Sequence, residues 1–145
     1  MSAFHTLPRL HVPSESRFAP GSPVTMTPEQ ARYLGRVLRR EEGGQVRLFN
    51  AQDGEWLADI VGLGAGARKE KGSFAPVGRL RPPQAEPGCV LAFALLKRDA
   101  TDLVIRMGTE LGVTRFVPVI TERTVGQRVN GERLDSIATE AAEQC

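Results

Sequence analysis

Hydrophobic and polar residues change rhythm twice along this chain. Over Gln45-Val46-Arg47-Leu48-Phe49 they alternate, the two-residue period of a strand with one buried face. Asn50-Ala51-Gln52-Asp53-Gly54 then supplies turn chemistry, and Trp56, Ala58 and Ile60 share one face of the next run. Together these segments predict a β-hairpin. A further strand is predicted from Phe74 to Leu80. The stretch from Gly62 to Ser73, glycine-rich and carrying Arg68, Lys69 and Lys71, reads as a loop. Ahead of the hairpin, Thr27 suits a helix cap, Pro28 the first helical position, and Gln30 completes a capping box. Ala31, Leu34, Val37 and Leu38 follow at helical spacing, so a helix is predicted over 28–40. Short strands around one helix predict a small β-barrel over residues 1–83.

After that the period is lost. Arg81-Pro82-Pro83-Gln84-Ala85-Glu86-Pro87-Gly88 holds three prolines and a glycine, which favours extended linker backbone, and residues 84–88 are assigned as the linker. Residues 89–145 form the second predicted domain. Cys89 to Leu96 is a continuous apolar run, the signature of a strand covered on both faces, with Cys89 a small buried hydrophobe. Asp99 is predicted to cap the next helix, with Leu103, Val104, Met107 and Leu111 inward and Gly112 ending it. Arg115 to Ile120 reads as a second buried strand, so strand, helix and strand make a βαβ unit with a parallel sheet. A last helix from about Glu132 carries Leu134, Ile137, Ala138 and Ala141 on one stripe. Two strands and two helices are a thin parallel sheet, so residues 89–145 read as the first part of a larger α/β domain.

Composition adds a bias. The chain is 41% apolar, enough for a real core, and no apolar run approaches the roughly 18 residues of a membrane helix. The N-terminus lacks the apolar region of a secretory signal, so a cytoplasmic protein is expected. Residues 1–83 carry twelve Lys/Arg against eight Asp/Glu, a balance of +4; residues 84–145 carry seven against nine, a balance of −2. A basic front and a slightly acidic back fit two modules, the first meeting an anionic partner. The cysteines, Cys89 and Cys145, and the histidines, His5 and His11, have no zinc-ligand spacing, and neither a metal site nor a disulfide is expected. No Ser/His/Asp, Cys/His or paired-carboxylate arrangement appears.

Candidate chemistry lies in two places. On the predicted helix, Arg32, Arg36, Arg39 and Arg40 make a second stripe, with Arg32, Arg36 and either Arg39 or Arg40 on the side opposite the apolar one. Guanidinium forks fit phosphates, so such a row can follow an RNA backbone, and it can equally be a solvated face balanced by Glu41 and Glu42. Arg9 and Arg17 would extend the patch if the fold brings them near. In the back half, Lys97, Arg98 and Asp99 follow one strand, and Thr121, Glu122, Arg123 and Thr124 follow the other. Strand ends are the usual ligand edge of a parallel sheet. Glu140 and Gln144 share a face of the last helix, with Glu143 beside them. Arg123 suits an RNA phosphate or a flipped base braced by Glu143 or Gln144; by pattern alone, caps, surface ion pairs and a solvated helix are the plainer reading of these residues.

The same back segments carry a resemblance. LLKRDATDLVIRMGTELGVTRFVPVITERTV at 95–125 and EAAEQC at 140–145 resemble the bacterial 16S rRNA uridine-N3 methyltransferases of family E, members of the trefoil-knot (SPOUT) superfamily. TELGV at 109–113, PVITERT at 118–124 and EAAEQ at 140–144 are the specific parts; YLGRVLR at 33–39 and VRLFN at 46–50 are weaker ones. The resemblance implies a PUA-like RNA-binding barrel followed by a knotted, Rossmann-like methyltransferase domain. It implies a homodimer that transfers methyl from S-adenosylmethionine to N3 of one uridine in small-subunit ribosomal RNA. Arg9, Arg17, Arg32, Arg36, Arg39, Arg40 and Lys97 then become expected RNA contacts. Arg123 is expected to hold the target nucleotide, with Glu143 and Gln144 near it. Arg32 and Tyr33 stand where the family often has a histidine pair, and Met107 where a lysine is common. The family's donor loops follow EAAEQ, so donor-binding residues are expected beyond Cys145, and this chain alone is expected to be inactive. A non-catalytic RNA-binding or ribosome-assembly module is the alternative, and a small-molecule-binding α/β protein a third possibility.

Overall fold

The computed structural model describes residues 3–13, 15–64, 71–125 and 128–145, which fall into two compact units, Met1–Gln84 and Ala85–Cys145. In the front unit a 3-10 turn (Ala3–Thr6) precedes β1 (Arg9–His11), β2 (Val24–Thr25), β3 (Gln45–Asn50), β4 (Gly54–Val61) and β5 (Ser73–Arg81). They form one curled sheet in the order β1-β3-β4-β5-β2, with β1 and β3 parallel and the other pairs antiparallel. The predicted hairpin is present as β3 and β4, with Val46 opposite Ala58 and Leu48 opposite Trp56. Its turn closes on Asn50, whose Oδ1 accepts from the backbone N–H groups of Gln52 (3.0 Å) and Asp53 (2.6 Å). Gly54 is required there: its φ is +80°, and a Cβ would stand 2.2 Å from the carbonyl oxygen of Arg81.

The alternation along β3 buries Val46 and Leu48 against Leu10, Val12, Phe18, Val24, Met26, Ala31, Leu34, Ala58, Ile60 and Phe74. This is a single apolar core filled from every strand and from the helix. That helix begins as predicted. Thr27 Oγ1 accepts from the N–H of Gln30 (3.2 Å), Gln30 Oε1 accepts from the N–H of Thr27 (3.0 Å), and Pro28 opens the first turn. Gln30 Nε2 also donates to the carbonyl of His11 (2.9 Å), which ties the helix to the end of β1.

The helix does not continue to residue 40. α1 (Pro28–Arg32) passes into one π-helical turn (Tyr33–Val37), in which the N–H of Leu38 reaches the carbonyl of Tyr33 at 3.0 Å. Arg39 then adopts a left-handed φ of +50°, and the N–H of Arg40 closes back on the carbonyl of Leu34 at 2.8 Å. Widening the turn rotates Val37 out of the expected apolar stripe, and it stands 65% exposed. Of the expected loop from Gly62 to Ser73, Arg68 and Lys69 lie outside the described residues, and Ser73 belongs to β5.

Residues 82–89 have no regular structure. The back unit then runs β6 (Val90–Ala94), α2 (Arg98–Glu110), β7 (Arg115–Val119) and α3 (Gly131–Gln144). β6 and β7 pair in parallel, from Val90 opposite Arg115 to Ala94 opposite Val119, so the predicted βαβ unit is there. Five expectations fail in it, the first being that the second strand is buried: Arg115, Val119 and Ile120 are exposed. β6 is not covered on both faces: Leu91, Phe93 and Leu95 turn inward while Val90, Ala92 and Ala94 are exposed, because packing covers one side of this two-stranded sheet. Cys89 is exposed rather than buried. The helix is capped at Lys97 rather than Asp99, and it buries Thr101, Ile105 and Gly108. Leu103, Met107 and Leu111, expected inward, are exposed, with Val104 half-buried. Gly108 explains the choice. Phe116 of β7 lies where a Cβ on that glycine would be 2.6 Å away, so the missing side chain lets α2 approach the strand on that face. Along α3, capped by the side chain of Asn130, the predicted stripe does turn inward at Leu134, Ile137, Ala138 and Ala141.

Candidate nucleic-acid interface

Four arginines of the front unit were expected in one helical row. The π-turn and the left-handed residue redistribute them: Arg32 ends α1, Arg36 sits in the wide turn, and Arg39 and Arg40 lie past the helix. Arg32, Arg36 and Arg39 are exposed and Arg40 is half-buried. The cations therefore crown a tight turn instead of tracking a straight helix. Wide helical turns and left-handed non-glycine residues are strained, and in proteins they concentrate at binding sites.

Arg9 and Arg17 are used differently. Nε of Arg9 lies 3.4 Å from Glu55 Oε2, and its guanidinium carbon stands 3.7 Å above the centre of the Phe49 ring. Arg47 meets the other Glu55 oxygen at 2.9 Å and also donates to the carbonyls of Leu7 and His5. Arg81 approaches the same carboxylate at 3.9 Å. Glu55 is 6% exposed, so one buried carboxylate gathers three arginines from β1, β3 and β5, and Arg9 serves the fold. Arg17 reaches Asp53 at 3.0 Å, while Asp53 accepts from the N–H of Phe18 and from Asn50. Beside this network His11 is half-buried, and burial, reinforced by the charge of Arg9, lowers its pKa below the ordinary value. Glu55 was missed from sequence. A glutamate among the hairpin's alternating residues looks like any solvent-facing strand position.

In the back unit the strand ends do collect polar groups. Thr121 and Thr124 close a turn: Thr124 Oγ1 accepts from the N–H of Thr121 at 2.7 Å, and the N–H of Thr124 returns to the carbonyl of Thr121 at 3.0 Å. Glu122 and Arg123 project from it, exposed. Thr101, buried in α2, fixes the end of β6 by accepting from the N–H of Leu96 (3.3 Å) and donating to its carbonyl (3.1 Å). Lys97 and Arg98 then border a depression of about 500 Å³, whose other polar walls are Thr101, Asp102, Arg128, Asn130 and Arg133. Its residues do not include Arg123, Glu143 or Gln144. Glu140 and Gln144 are exposed on α3, and Glu143 is half-buried. Arg133 grips Asp102 with both terminal nitrogens, one at 2.7 Å from Oδ1 and the other on Oδ2, and so fastens α3 to α2. Asp102, Arg128 and Arg133 were not singled out from sequence, where Asp102 and Arg133 are merely polar positions on two amphipathic helices.

Comparisons with known proteins agree with this layout. Residues 84–145 match the family model of the RNA methyltransferase domain, and residues 27–67 match that of the RNA methyltransferase PUA domain. A ribosomal RNA small subunit methyltransferase E of Rickettsia conorii is 36% identical over 130 residues, covering 89% of this chain and 52% of the relative. One from Synechocystis is 37% identical over 123 residues, covering 83% of this chain and 39% of that protein. The chain thus spans about half or less of the length of these relatives. Among solved structures, a Legionella pneumophila methyltransferase with bound S-adenosylmethionine (SAM) superposes with a TM-score of 0.80 at 28% identity, over 96% of this chain and 58% of that one. A Neisseria gonorrhoeae small subunit methyltransferase E, also bound to SAM, shares the fold with a TM-score of 0.78 at 23% identity, over 95% and 56%.

The depression does not suit that donor. S-adenosylmethionine carries a sulfonium besides its ammonium and carboxylate, a net positive charge, whereas Lys97, Arg98 and Arg128 make the lining positive and its one carboxylate, Asp102, is taken by Arg133. With a PUA-type sheet in front and a parallel βαβ unit behind, each matching its family model, the chain carries the two domains of the RNA methyltransferases and is similar along most of its length to ribosomal RNA small subunit methyltransferase E.

Proposed function

We propose that this chain is the RNA-gripping and substrate-positioning part of an enzyme that methylates N3 of one uridine in 16S ribosomal RNA. The observation that carries the reading is the cationic turn of Arg32, Arg36 and Arg39, exposed within the segment matched by the PUA model. It offers guanidinium groups to phosphates on a rigid, core-anchored support. Arg40 flanks this grip, whereas Arg17 is drawn onto Asp53 at the opposite end of β4 and takes no part in it. In the second unit Lys97 adds a contact at a strand end, and Arg123 faces the target nucleotide. N3 of uridine is weakly acidic, and methylation there requires loss of its proton. Splaying the base from its stack exposes that edge. Arg123, held out by the Thr121–Thr124 turn, stabilises the negative charge that develops on the base. The donor supplies the methyl group, and no residue of this chain is assigned to hold it. By itself the chain therefore transfers no methyl group. The working enzyme acts in the cytoplasm as a pair of copies on the small ribosomal subunit.

The test is binding of the chain to small ribosomal subunits across a salt series, beside an Arg36→Glu, Arg39→Glu variant. Affinity should fall steeply with salt, and the variant should bind more weakly with a shallower slope. Salt-independent binding, or none from folded protein, would overturn the reading. In a complete enzyme, Arg123→Ala should lower the rate of methylation without weakening RNA binding to the same degree; unchanged turnover removes Arg123 from the mechanism.

A further inference from the structure

We infer that the depression between the first turns of α2 and α3 is a second phosphate site, which takes a backbone phosphodiester of the RNA strand; this rests on the reading of the chain as an RNA-binding enzyme part. Three observations converge on it. Its charge is one: Lys97, Arg98, Arg128 and Arg133 against Asp102 leave a balance of +3. The second is how that charge is distributed. Arg133 and Asp102 neutralise each other in a two-pronged pair, whereas Lys97, Arg98 and Arg128 are exposed and, among the described residues, have no carboxylate partner. Three cations from two chain segments thus border one cavity with their charge uncompensated, an arrangement that repels itself unless an anion enters. The third is local: the first turn of α2 has no side-chain cap, so its N–H groups add partial positive charge beside Lys97 and Arg98.

The lining also selects a kind of anion. Leu95, Leu96, Val125, Val129 and Leu134 share the walls with the cations, so a phosphate with an attached sugar gains apolar contact that a bare phosphate does not. Arg133 is a positioning residue. Its grip on Asp102 holds the N-terminus of α3 against α2 and removes the one negative charge that would compete with the ligand.

The experiment uses the whole chain and a uridine-containing single-stranded RNA oligonucleotide, titrated at several salt concentrations. Wild type is compared with Lys97→Glu, Arg128→Glu and with Arg36→Glu, Arg39→Glu. All four residues are exposed, and unchanged melting curves confirm that each variant is folded. The rear variant should bind more weakly, with a log–log salt slope shallower by about 0.7 to 1 per lost phosphate contact. A slope equal to wild type in the rear variant, while the front variant is impaired, overturns the second site and leaves the RNA reading standing. Loss of binding in neither variant, or no binding by wild type, overturns both. Inorganic phosphate and the dinucleoside phosphodiester UpU serve as competitors. Displacement by the phosphodiester UpU at concentrations where inorganic phosphate has no effect fits a phosphodiester site; equal displacement by both marks a site for free phosphate and sinks the assignment to RNA. Arg133→Met should weaken binding in the same direction, since it frees the Asp102 carboxylate.

Discussion

The two units of this chain bury their apolar residues to very different degrees. In the front unit twelve hydrophobic side chains from five strands and a helix close one core, and Ala31, Leu34, Val46, Leu48, Ala58, Ile60 and Phe74 are wholly enclosed. In the back unit, among the described residues, Leu95, Ile105 and Ala141 alone are buried hydrophobics, and Val90, Met107, Leu111, Ile120 and Val125 are exposed. A five-stranded curled sheet wraps its inner face around itself, whereas a two-stranded parallel sheet leaves an outer face and two strand edges unpartnered. Stability therefore resides in front. Specific electrostatic links, Thr101 with Leu96 and Arg133 with Asp102, carry more of the organisation behind. Rigid support favours a grip on RNA backbone, and a loosely cored unit with cations at its strand ends favours contacts that form around a ligand.

The contrast can be broken most directly in the cores. Phe74→Ala should destabilise the front unit by about 3–5 kcal/mol in urea unfolding, while Leu111→Ala, at an 82% exposed position, should stay within about 0.5 kcal/mol. Similar losses from the two would mean that the units are equally well packed. Next in size is Glu55→Gln, which strips the shared carboxylate from Arg9, Arg47 and Arg81 and should cost about 3 kcal/mol. Its unfolding midpoint would show whether the network supports the fold. Arg133→Met should cost only about 1 kcal/mol, because the pair with Asp102 is partly solvated, and its effect should appear as faster amide exchange in α3 with β3 and β4 unchanged.

Two smaller effects sharpen the comparison within the front unit. Arg39→Gly removes a left-handed non-glycine residue and should stabilise the fold by about 1 kcal/mol, yet it should weaken RNA binding. A variant that is more stable and still binds fully would take Arg39 out of the interface. His11 gives the weakest signal. Its pKa is lowered in the fold, so as pH falls below its ordinary value of 6.5 the unfolded chain takes up a proton first. Stability contributed by neutral His11 is thus complete above that pH, falls as pH drops from 6.5 to its folded pKa, and is level below. Thermal melts between pH 8 and 5, wild type against His11→Phe, should show the acid-side loss in wild type alone.

Much of the fold was legible because its signals are local. The alternation over 45–49, the Asn50-to-Gly54 turn, the Thr27–Gln30 capping box and the stripe of α3 each depend on residues within a few positions, and each appears where the pattern puts it. The candidate site was legible only as an inventory of cations. Pattern alone treated Arg9 and Arg36 alike, whereas Arg9 is drawn onto Glu55 and Phe49 and Arg36 stands exposed.

By itself, then, the sequence determined the two-module order, the type of each main element, the helix cap at Thr27 and the families whose models these segments match. Tertiary structure alone decided that α2 packs on Thr101, Ile105 and Gly108 instead of its leucines, that the helix after Pro28 widens before Arg39, and that Arg133 meets Asp102. The reason is separation along the chain. Caps and periods act over a few residues, but Phe116 selects the face of α2 from across a strand, Arg9 finds Glu55 46 residues away, and Arg133 finds Asp102 31 away. Which partner a side chain meets at that distance is set by how the elements pack, not by its neighbours in sequence.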